Sequence, residues 1–166
     1  MGEEILDVIK RVHEVFRKMG LTLSVAESCT GGLISHYITI LPGASKFFVA
    51  GVVSYSAEAK KKILGISPEI ISMHGVVSEE TAKEMAEKVR SLTKADYSLS
   101  TTGNLGPDVL EGKGRGLIYI AVSKKGQTFS RELRLIGSRE ENKEEASLSA
   151  LRLLLEVCEG ETYLYA

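Results

Sequence analysis

The order of helix-like and strand-like segments constrains the fold of this chain more than any other feature of its sequence. Apolar side chains at Ile5, Ile9 and Val12 follow the spacing of an amphipathic helix. Residues 47–54, FFVAGVVS, form a nearly continuous apolar run, which predicts a strand covered on both faces. The whole order reads helix, strand, helix, strand, helices, strand, hairpin, helix. This alternation predicts an α/β fold, a three-layer α/β/α sandwich with a mixed, largely parallel sheet.

Local signals predict where these elements begin and end. Gly20 follows the first helix as a C-cap, Ser78 is an N-cap, and Ser138 with Glu141 forms a capping box. The predicted helices are residues 3–19, 33–41, 57–64, 79–92 and 138–159, with a short helical turn from Ser67 and Pro68. The predicted strands are residues 21–26, 47–54, 97–102, 117–122 and 128–135.

Length and composition limit the class of protein. A chain of 166 residues predicts a single domain over residues 1–166 with one core. Hydrophobic residues make up 43% and charged residues 26%, which argues against a disordered chain. Lysine and arginine total 21 against 22 acidic residues, so the charge balance predicts neither a nucleic-acid nor a membrane partner. Apolar runs shorter than a bilayer span and an acidic N-terminus, unlike a signal peptide, lead us to expect a cytoplasmic protein.

Three predicted strand exits carry small polar residues and glycines, at residues 27–32, 54–60 and 101–107. Ligands of open α/β sheets bind at such carboxyl ends. In the first exit, Ser28, Cys29 and Thr30 precede the glycine pair Gly31 and Gly32 at a helix start. Free backbone N–H groups and the helix dipole predict an anion site there. A capped helix with a tight turn explains the same residues equally well.

Tyr55 and Lys60 lie in the second strand exit. A lysine beside a buried strand end can have a lowered pKa and act as a base. The adjacent Lys61 and Lys62 favour the alternative, a solvated run of charges. Arg139 lies in the first turn of the last helix, where a cation is unfavourable unless an anion is near, so it is a further candidate.

Other chemistry has weaker support in the residues. Cys29 is either a thiol nucleophile at a helix N-terminus or a small buried residue. Ser45 is interpreted as a loop or N-cap serine. The three histidines have no metal-ligand spacing, and dinucleotide-binding and P-loop motifs are absent, so we expect no metal and no cofactor. The residues alone predict an α/β domain with a glycine-rich, anion-binding site.

Three segments carry more specific information: AESCTGG at residues 26–32, GVVSYSAEAK at 51–60 and HGVVS at 74–78. In this order and spacing they resemble the C-terminal domain of the competence/damage-inducible CinA family. The resemblance covers essentially the whole chain, and the first string is highly specific to the family. Stand-alone members of that family are nicotinamide-nucleotide amidases.

The resemblance implies an α/β/α homodimer or higher homo-oligomer that hydrolyses nicotinamide mononucleotide, a pyridine nucleotide, to nicotinate mononucleotide and ammonia. It implies a serine–lysine pair and no metal or cofactor. It places the nucleophile at Ser45 and the lysine base at Lys60, with Ser28 and Tyr55 at further catalytic positions. The expected substrate-binding residues are Thr30, Gly31, Gly32, Thr102, Gly103, Gly106 and Arg139.

The loop at residues 103–116 departs from the family pattern. Leu105 replaces an alanine, the paired glycines are absent, and Arg115 stands near the usual proline and valine. We expect Lys113 and Arg115 to offer positive charge to a phosphate. Two alternatives to the amidase therefore stay open: a nucleotide-binding regulatory module without turnover, and an amidase for another small nucleotide.

Overall fold

Five strands form one sheet in the order β2-β1-β3-β4-β5. The computed structural model describes the backbone of residues 1–165 and the side chains up to residue 160. The first three strands pair in parallel, and β4 runs antiparallel to both of its neighbours. The strands are β1 (Leu23–Glu27), β2 (Phe48–Val53), β3 (Tyr97–Gly103), β4 (Leu117–Lys124) and β5 (Gln127–Arg134). The carboxyl ends of four strands therefore open at one edge of the sheet, and β4 begins there.

Helices cover both faces of the sheet, which confirms the α/β/α sandwich. The helices are α1 (Glu3–Met19), α2 (Leu33–Thr39), α3 (Ala57–Ala59), α4 (Pro68–His74), α5 (Glu79–Thr93) and α6 (Arg139–Tyr165). The larger core lies under α1, α2 and α6, where Phe16, Leu99 and Leu151 are fully buried. A smaller core around Met85 lies under α5. Within the described residues, no helix is both long and apolar enough to cross a bilayer.

Capping signals in the sequence are confirmed at the helix ends. Gly20 ends α1 in the left-handed region with φ 66°. Ser78 accepts a hydrogen bond from Thr81 N–H at 3.1 Å and so begins α5. The Ser138 N–H donates to the Glu141 carboxylate, and the Glu141 N–H donates to Ser138 Oγ, which is the reciprocal capping box before α6.

The expectation that residues 47–54 are covered on both faces is wrong. β2 pairs only with β1 and is an edge strand, whose residues alternate between half-buried and exposed. Val49 and Val53 are 49% and 45% exposed. Here the continuous apolar run forms an edge strand, which has a neighbouring strand on one side only.

A π-helical turn replaces the second half of the helix predicted at residues 57–64. The α-helical part ends at Ala59, and residues Lys60–Leu64 form the wider turn. Lys60 and Leu64 are buried by this turn, whereas Lys62 points to solvent. Turns of this kind are rare and occur mostly at functional sites.

The turn between β1 and α2 is built around the buried Glu27. Its carboxylate accepts hydrogen bonds from the Thr30 hydroxyl and from the N–H groups of Gly32, Ile34 and Ser35, as well as from the Ser35 hydroxyl. Glu27 is 0% exposed. A charge buried this deeply is stable only when its lone pairs are satisfied, and here the first turn of α2 satisfies them.

We expect Glu27→Gln to lower the free energy of unfolding by about 2–4 kcal/mol. The amide keeps the volume of the side chain but turns an NH₂ group toward backbone donors that need an acceptor. Urea denaturation measures the loss. Ser35→Ala removes only one donor to the same carboxylate and should cost about 1 kcal/mol. Equal stabilities for Glu27→Gln and the unmodified chain would contradict the structural role of this carboxylate.

Candidate active site

Lys60 lies at the centre of the polar groups that follow β1 and β2. Its side chain is 1% exposed. The Nζ atom is 2.7 Å from Ser28 Oγ, 2.9 Å from the Ser54 carbonyl oxygen and 3.1 Å from the Tyr55 carbonyl oxygen. The interpretation of Lys60 as part of a solvated run of charges is therefore wrong, because the π-helical turn directs this lysine inward.

The environment of Lys60 favours its neutral form. Burial lowers the pKa of Lys60 to about 8, against smaller opposite effects of Cys29 and Glu111. None of the described carboxylates forms an ion pair with Nζ, whose partners are one hydroxyl and two carbonyl oxygens. A buried lysine without a counter-ion can accept a proton near neutral pH.

Ser28 is the serine beside Lys60. It follows the last residue of β1, and its N–H donates to the Thr101 carbonyl oxygen at 3.1 Å, which extends the β1–β3 pairing by one residue. Its side chain is 6% exposed. The end of a central strand therefore holds the hydroxyl in one position against the lysine.

Ser45 does not lie near Lys60, so the structure of this chain does not bring the expected catalytic pair together. Ser45 is exposed in the 3₁₀ turn Ala44–Lys46, which precedes β2, whereas Lys60 follows β2. The six residues of β2 span about 20 Å. The two side chains consequently lie at opposite edges of the sheet.

Cys29 is a buried thiol. Burial raises the pKa of Cys29 to about 12, although Lys60 and Thr101 act in the opposite direction. The thiolate, which is the nucleophilic form, is therefore rare at neutral pH. Of the two interpretations of Cys29, the structure supports the small buried residue.

The predicted anion site at the start of α2 is filled by the chain itself. Glu27 takes the N–H of Gly32, and Thr30 is fully buried between Glu27 and Thr101, at 2.6 Å and 2.8 Å from their side-chain oxygens. Gly31 and Gly32 have φ angles of 58° and 104°, which the turn requires. Thr30 and the glycine pair thus shape the turn that holds Ser28.

Two residues predicted to bind substrate fix the end of β3. The Thr102 hydroxyl donates to the Val76 carbonyl oxygen at 2.7 Å, and Thr102 is 1% exposed. A Cβ atom at Gly103 would lie 2.7 Å from the backbone of Ile118, so only glycine fits between β3 and β4 at this point. Gly103 also lines the cavity described next.

A cavity of about 440 Å³ opens beside Cys29, at the carboxyl edge of the sheet. It is lined by Cys29, Tyr55, Gly103, Asn104, Leu105, Gly106, Pro107, Asp108, Leu110 and Arg139. The Arg139 guanidinium donates to the Gly106 carbonyl oxygen at 2.7 Å and to the Tyr55 hydroxyl at 3.0 Å. Both acceptors are neutral, and Arg139 forms no ion pair with a described residue at the cavity rim.

The loop at residues 103–116 is anchored by its own charges. The Glu111 carboxylate accepts from the N–H groups of Val76 and Val77 at 2.9 Å and 3.0 Å. Lys113 Nζ donates to the carbonyl oxygens of His74 and Val77, both at 2.6 Å. The expectation that Lys113 is available to a phosphate is therefore wrong, because this ammonium ties the loop to the connection between α4 and α5.

Leu105 and Arg115, the two replacements in this loop, have different surroundings. Leu105 is 3% exposed and belongs to the larger core. Its carbonyl oxygen accepts from Asn142 Nδ2 of α6 at 3.0 Å. Arg115 is exposed, and its side-chain carbons pack over Gly106, where a Cβ atom would lie 2.4 Å from Arg115 Cγ. Leucine at position 105 therefore adds core contact, and Arg115 brings a second cation close to the cavity wall.

Sequence reasoning missed three residues of this region. Glu27 and Glu111 bind backbone N–H groups, and the hydroxyl of Ser54 is buried beside Lys60 without a partner among the described residues. The position of Glu27 directly after an apolar strand could have indicated its role, because a carboxylate buried there requires hydrogen-bond donors. Nothing local marks Glu111. The described residues contain no group of three or more His, Cys, Asp or Glu side chains that could hold a metal ion.

Comparison with known proteins identifies the family. The model of the CinA C-terminal domain family matches residues 6–158. A competence-damage inducible protein of Caldanaerobacter subterraneus subsp. tengcongensis is 46% identical over 150 residues, which are 90% of this chain and 36% of that protein. A protein of the same description from Caldicellulosiruptor saccharolyticus is 48% identical over 144 residues, or 86% of this chain and 35% of that protein. The chain thus spans about a third of the length of these curated relatives.

Solved structures show the same fold over nearly the whole chain. A CinA superfamily protein of Escherichia coli superposes with a TM-score of 0.91 at 31% identity, covering 95% of this chain and 93% of the other. A competence/damage inducible protein of Agrobacterium tumefaciens superposes with a TM-score of 0.90 at 31% identity, covering 94% and 96%. On the extent of the family match, the fold and the sequence identity, this chain belongs to the CinA C-terminal domain family.

Proposed function

We propose that this protein is a serine amidohydrolase with Ser28 as nucleophile and Lys60 as base, and that it hydrolyses the carboxamide of nicotinamide mononucleotide. One observation carries the reaction type: the Nζ atom of a buried lysine lies 2.7 Å from a serine hydroxyl at the carboxyl edge of the sheet. A nucleophile and a base within hydrogen-bond distance are the signature of covalent catalysis. The substrate is inferred from the resemblance to the amidases of the family.

The partners of Lys60 orient it as a base. A neutral lysine amine has two N–H donors and one lone pair. The carbonyl oxygens of Ser54 and Tyr55 can accept both N–H bonds, which leaves the lone pair directed at the Ser28 hydroxyl. With a pKa of about 8, about a tenth of the lysine side chains are neutral at pH 7. This fraction supplies the base.

The reaction follows in two halves. Ser28 Oγ bonds to the carboxamide carbon while Lys60 takes the hydroxyl proton, and Lys60 then gives that proton to the nitrogen as the C–N bond breaks. Ammonia leaves an ester on Ser28. Water attacks the ester carbon and gives a proton to Lys60, which returns it to Ser28 Oγ as the ester C–O bond breaks. The products are nicotinate mononucleotide and ammonia.

The turn after Ser28 offers a donor for the oxyanion of both tetrahedral intermediates. The N–H groups of Gly32, Ile34 and Ser35 bind Glu27. The Thr30 N–H is used by no hydrogen bond among the described residues. We assign it to the oxyanion, whose donors typically lower the barrier by about 2.7–4 kcal/mol each.

The cavity and its cation fit a small anionic ligand. A volume of about 440 Å³ is in the range of small-molecule sites. In this proposal Arg139, which forms no ion pair with a described residue, binds the phosphate, and Tyr55, whose hydroxyl Arg139 contacts, packs against the pyridine ring. Arg115 lies close enough to Gly106 to reach the same phosphate.

One observation favours the alternative of a nucleotide-binding module without turnover. Ser28 and Lys60 are only 6% and 1% exposed, so a substrate carbonyl has to displace Tyr55 or the loop to reach them. Ammonia release from nicotinamide mononucleotide by the purified protein separates the two functions. Calorimetric binding of the nucleotide without ammonia release would support the module. Ammonia release from another nucleotide amide alone would support the second alternative, an amidase for another small nucleotide.

We expect Ser28→Ala and Lys60→Met each to lower kcat by about 10³-fold or more, because each removes one half of the pair. The double variant should be about as slow as either single one, since the two residues act as a unit. Ser45→Ala and Cys29→Ala are the matched controls and should keep kcat within about threefold. Initial rates of ammonia release at saturating substrate give all five values. An active Ser28→Ala protein would refute the assignment of the nucleophile.

The proposed base predicts a specific pH dependence. Because only neutral Lys60 can take a proton, kcat/KM should rise with pH through a midpoint near the lysine pKa of about 8 and level off above it. Glu111→Gln removes a negative charge that raises this pKa, so its midpoint should lie at lower pH. A pH-rate series measures both. A kcat/KM that does not change with pH between 6 and 10 in either protein would exclude Lys60 as the base.

Arg139→Ala should raise KM for nicotinamide mononucleotide by about 10- to 100-fold with little change in kcat, because a charge-assisted hydrogen bond to phosphate is worth about 1.5–3 kcal/mol. The corresponding nucleoside has no phosphate and should be a poor substrate for the unmodified protein and the variant alike. Arg131→Ala is the control, since Arg131 pairs with Glu156 away from the cavity. An Arg139→Ala protein with unchanged KM would place the phosphate elsewhere.

A further inference from the structure

Ser54, the residue after β2, has a buried hydroxyl that forms no hydrogen bond with any described group. The residue is 0% exposed. Its backbone is fully used: the N–H donates to the Glu27 carbonyl oxygen at 2.9 Å, and the carbonyl oxygen accepts from Lys60 Nζ at 2.9 Å. A buried hydroxyl without a partner destabilises a fold, and alanine at this position would avoid that cost.

Other buried serines of the sheet do find partners. Ser24, Ser98 and Ser100 are all fully buried, and each donates its hydroxyl to a carbonyl oxygen of α5. The distance from Ser100 Oγ to its acceptor is 2.6 Å. The fold therefore satisfies serine hydroxyls where they are structural, and Ser54 is an exception that calls for a different explanation.

The position of Ser54 points to Lys60. Side chains alternate along a strand, so Ser54 lies on the same face as Val52, which packs against the smaller core. Leu64, at the end of the π-helical turn, belongs to that core. Lys60 begins that turn. Since Nζ already contacts the carbonyl oxygen of Ser54, covalent geometry holds Ser54 Oγ within about 8 Å of Nζ.

We propose that Ser54 is a positioning residue whose hydroxyl accepts a hydrogen bond from Lys60 Nζ when Lys60 carries the proton taken from Ser28. The proposal rests on the proposed function, in which this proton transfer occurs. A lysine ammonium has three donors, and in the resting arrangement Ser28 Oγ, the Ser54 carbonyl and the Tyr55 carbonyl accept them. Once Ser28 Oγ is bonded to the substrate carbon it is a poor acceptor, and the ammonium lacks a third acceptor until the substrate nitrogen takes the proton. Ser54 forms and breaks no covalent bond.

No charged group near Lys60 can replace that partner. The Glu27 carboxylate is held by the N-terminus of α2, and the Glu111 carboxylate is held by the backbone of Val76 and Val77. The Cys29 thiol is neutral because burial raises its pKa. Among these neighbours, the Ser54 hydroxyl alone is neutral, buried and without a hydrogen bond.

Ser54→Ala tests the proposal, with Ser100→Ala as the matched control. Both changes remove one fully buried serine hydroxyl. We expect Ser54→Ala to keep or raise Tm while kcat for ammonia release falls about tenfold and KM stays within about twofold. Ser100→Ala, which loses a satisfied hydrogen bond, should lower Tm by about 2–4 °C and leave kcat within about twofold.

Two results would overturn the proposal. A Ser54→Ala protein with unchanged kcat would show that Lys60 does not use the hydroxyl, and a loss of Tm equal to that of Ser100→Ala would show that the hydroxyl has a structural partner. Neither result contradicts the proposed function. The proposed function is contradicted if the unmodified protein releases no ammonia or if the Ser28→Ala protein remains active.

Discussion

A buried carboxylate determines the geometry of the site edge in this protein. Glu27 ends β1 inside the fold and binds the backbone of Gly32, Ile34 and Ser35 at the start of α2. A charge without solvent requires donors, and a helix N-terminus provides several N–H groups in one direction. The chain between strand and helix is consequently held at both ends, and Ser28 lies in that chain. The position of Ser28 therefore depends on Glu27.

Burial without a counter-ion gives Lys60 its chemical character. Lys113 is also close to backbone carbonyl oxygens, but it is partly exposed and forms an ion pair with the Glu111 carboxylate at 3.4 Å. Lys60 has hydroxyl and carbonyl partners only, and its pKa is lowered to about 8. The π-helical turn causes this difference, because it buries Lys60, the first of three consecutive lysines.

The loop at residues 103–116 combines two tasks that are spatially separate. Glu111 and Lys113 attach its far end to the connection between α4 and α5. Its near end forms the cavity wall, where Gly106 contacts Arg139 and Leu105 anchors to the core and to Asn142. Leu105, which departs from the family pattern, thus anchors the loop to the core, and Arg139 of α6 places a cation at the cavity rim.

Much of the fold could be predicted from the sequence, because periodicity and capping depend on residues that are neighbours in the chain. Gly20, Ser78 and Ser138 mark helix ends through contacts within four residues. The site edge was predictable for the same reason, since small polar residues and glycines follow three parallel strands. Family motifs added Lys60 and Ser28 as members of the site.

The pairing of these residues was decided by tertiary structure. Ser28 and Ser45 both lie in polar turns next to apolar strands, but one follows a strand and the other precedes one, and parallel pairing sends them to opposite edges of the sheet. Lys60, Lys61 and Lys62 are identical in type and adjacent in sequence, and only the width of one helical turn buries the first. Sequence by itself determined which elements form and which edge carries the polar groups. The pairing of Ser28 with Lys60, and the burial of both side chains, depend on contacts between residues that are distant in the chain.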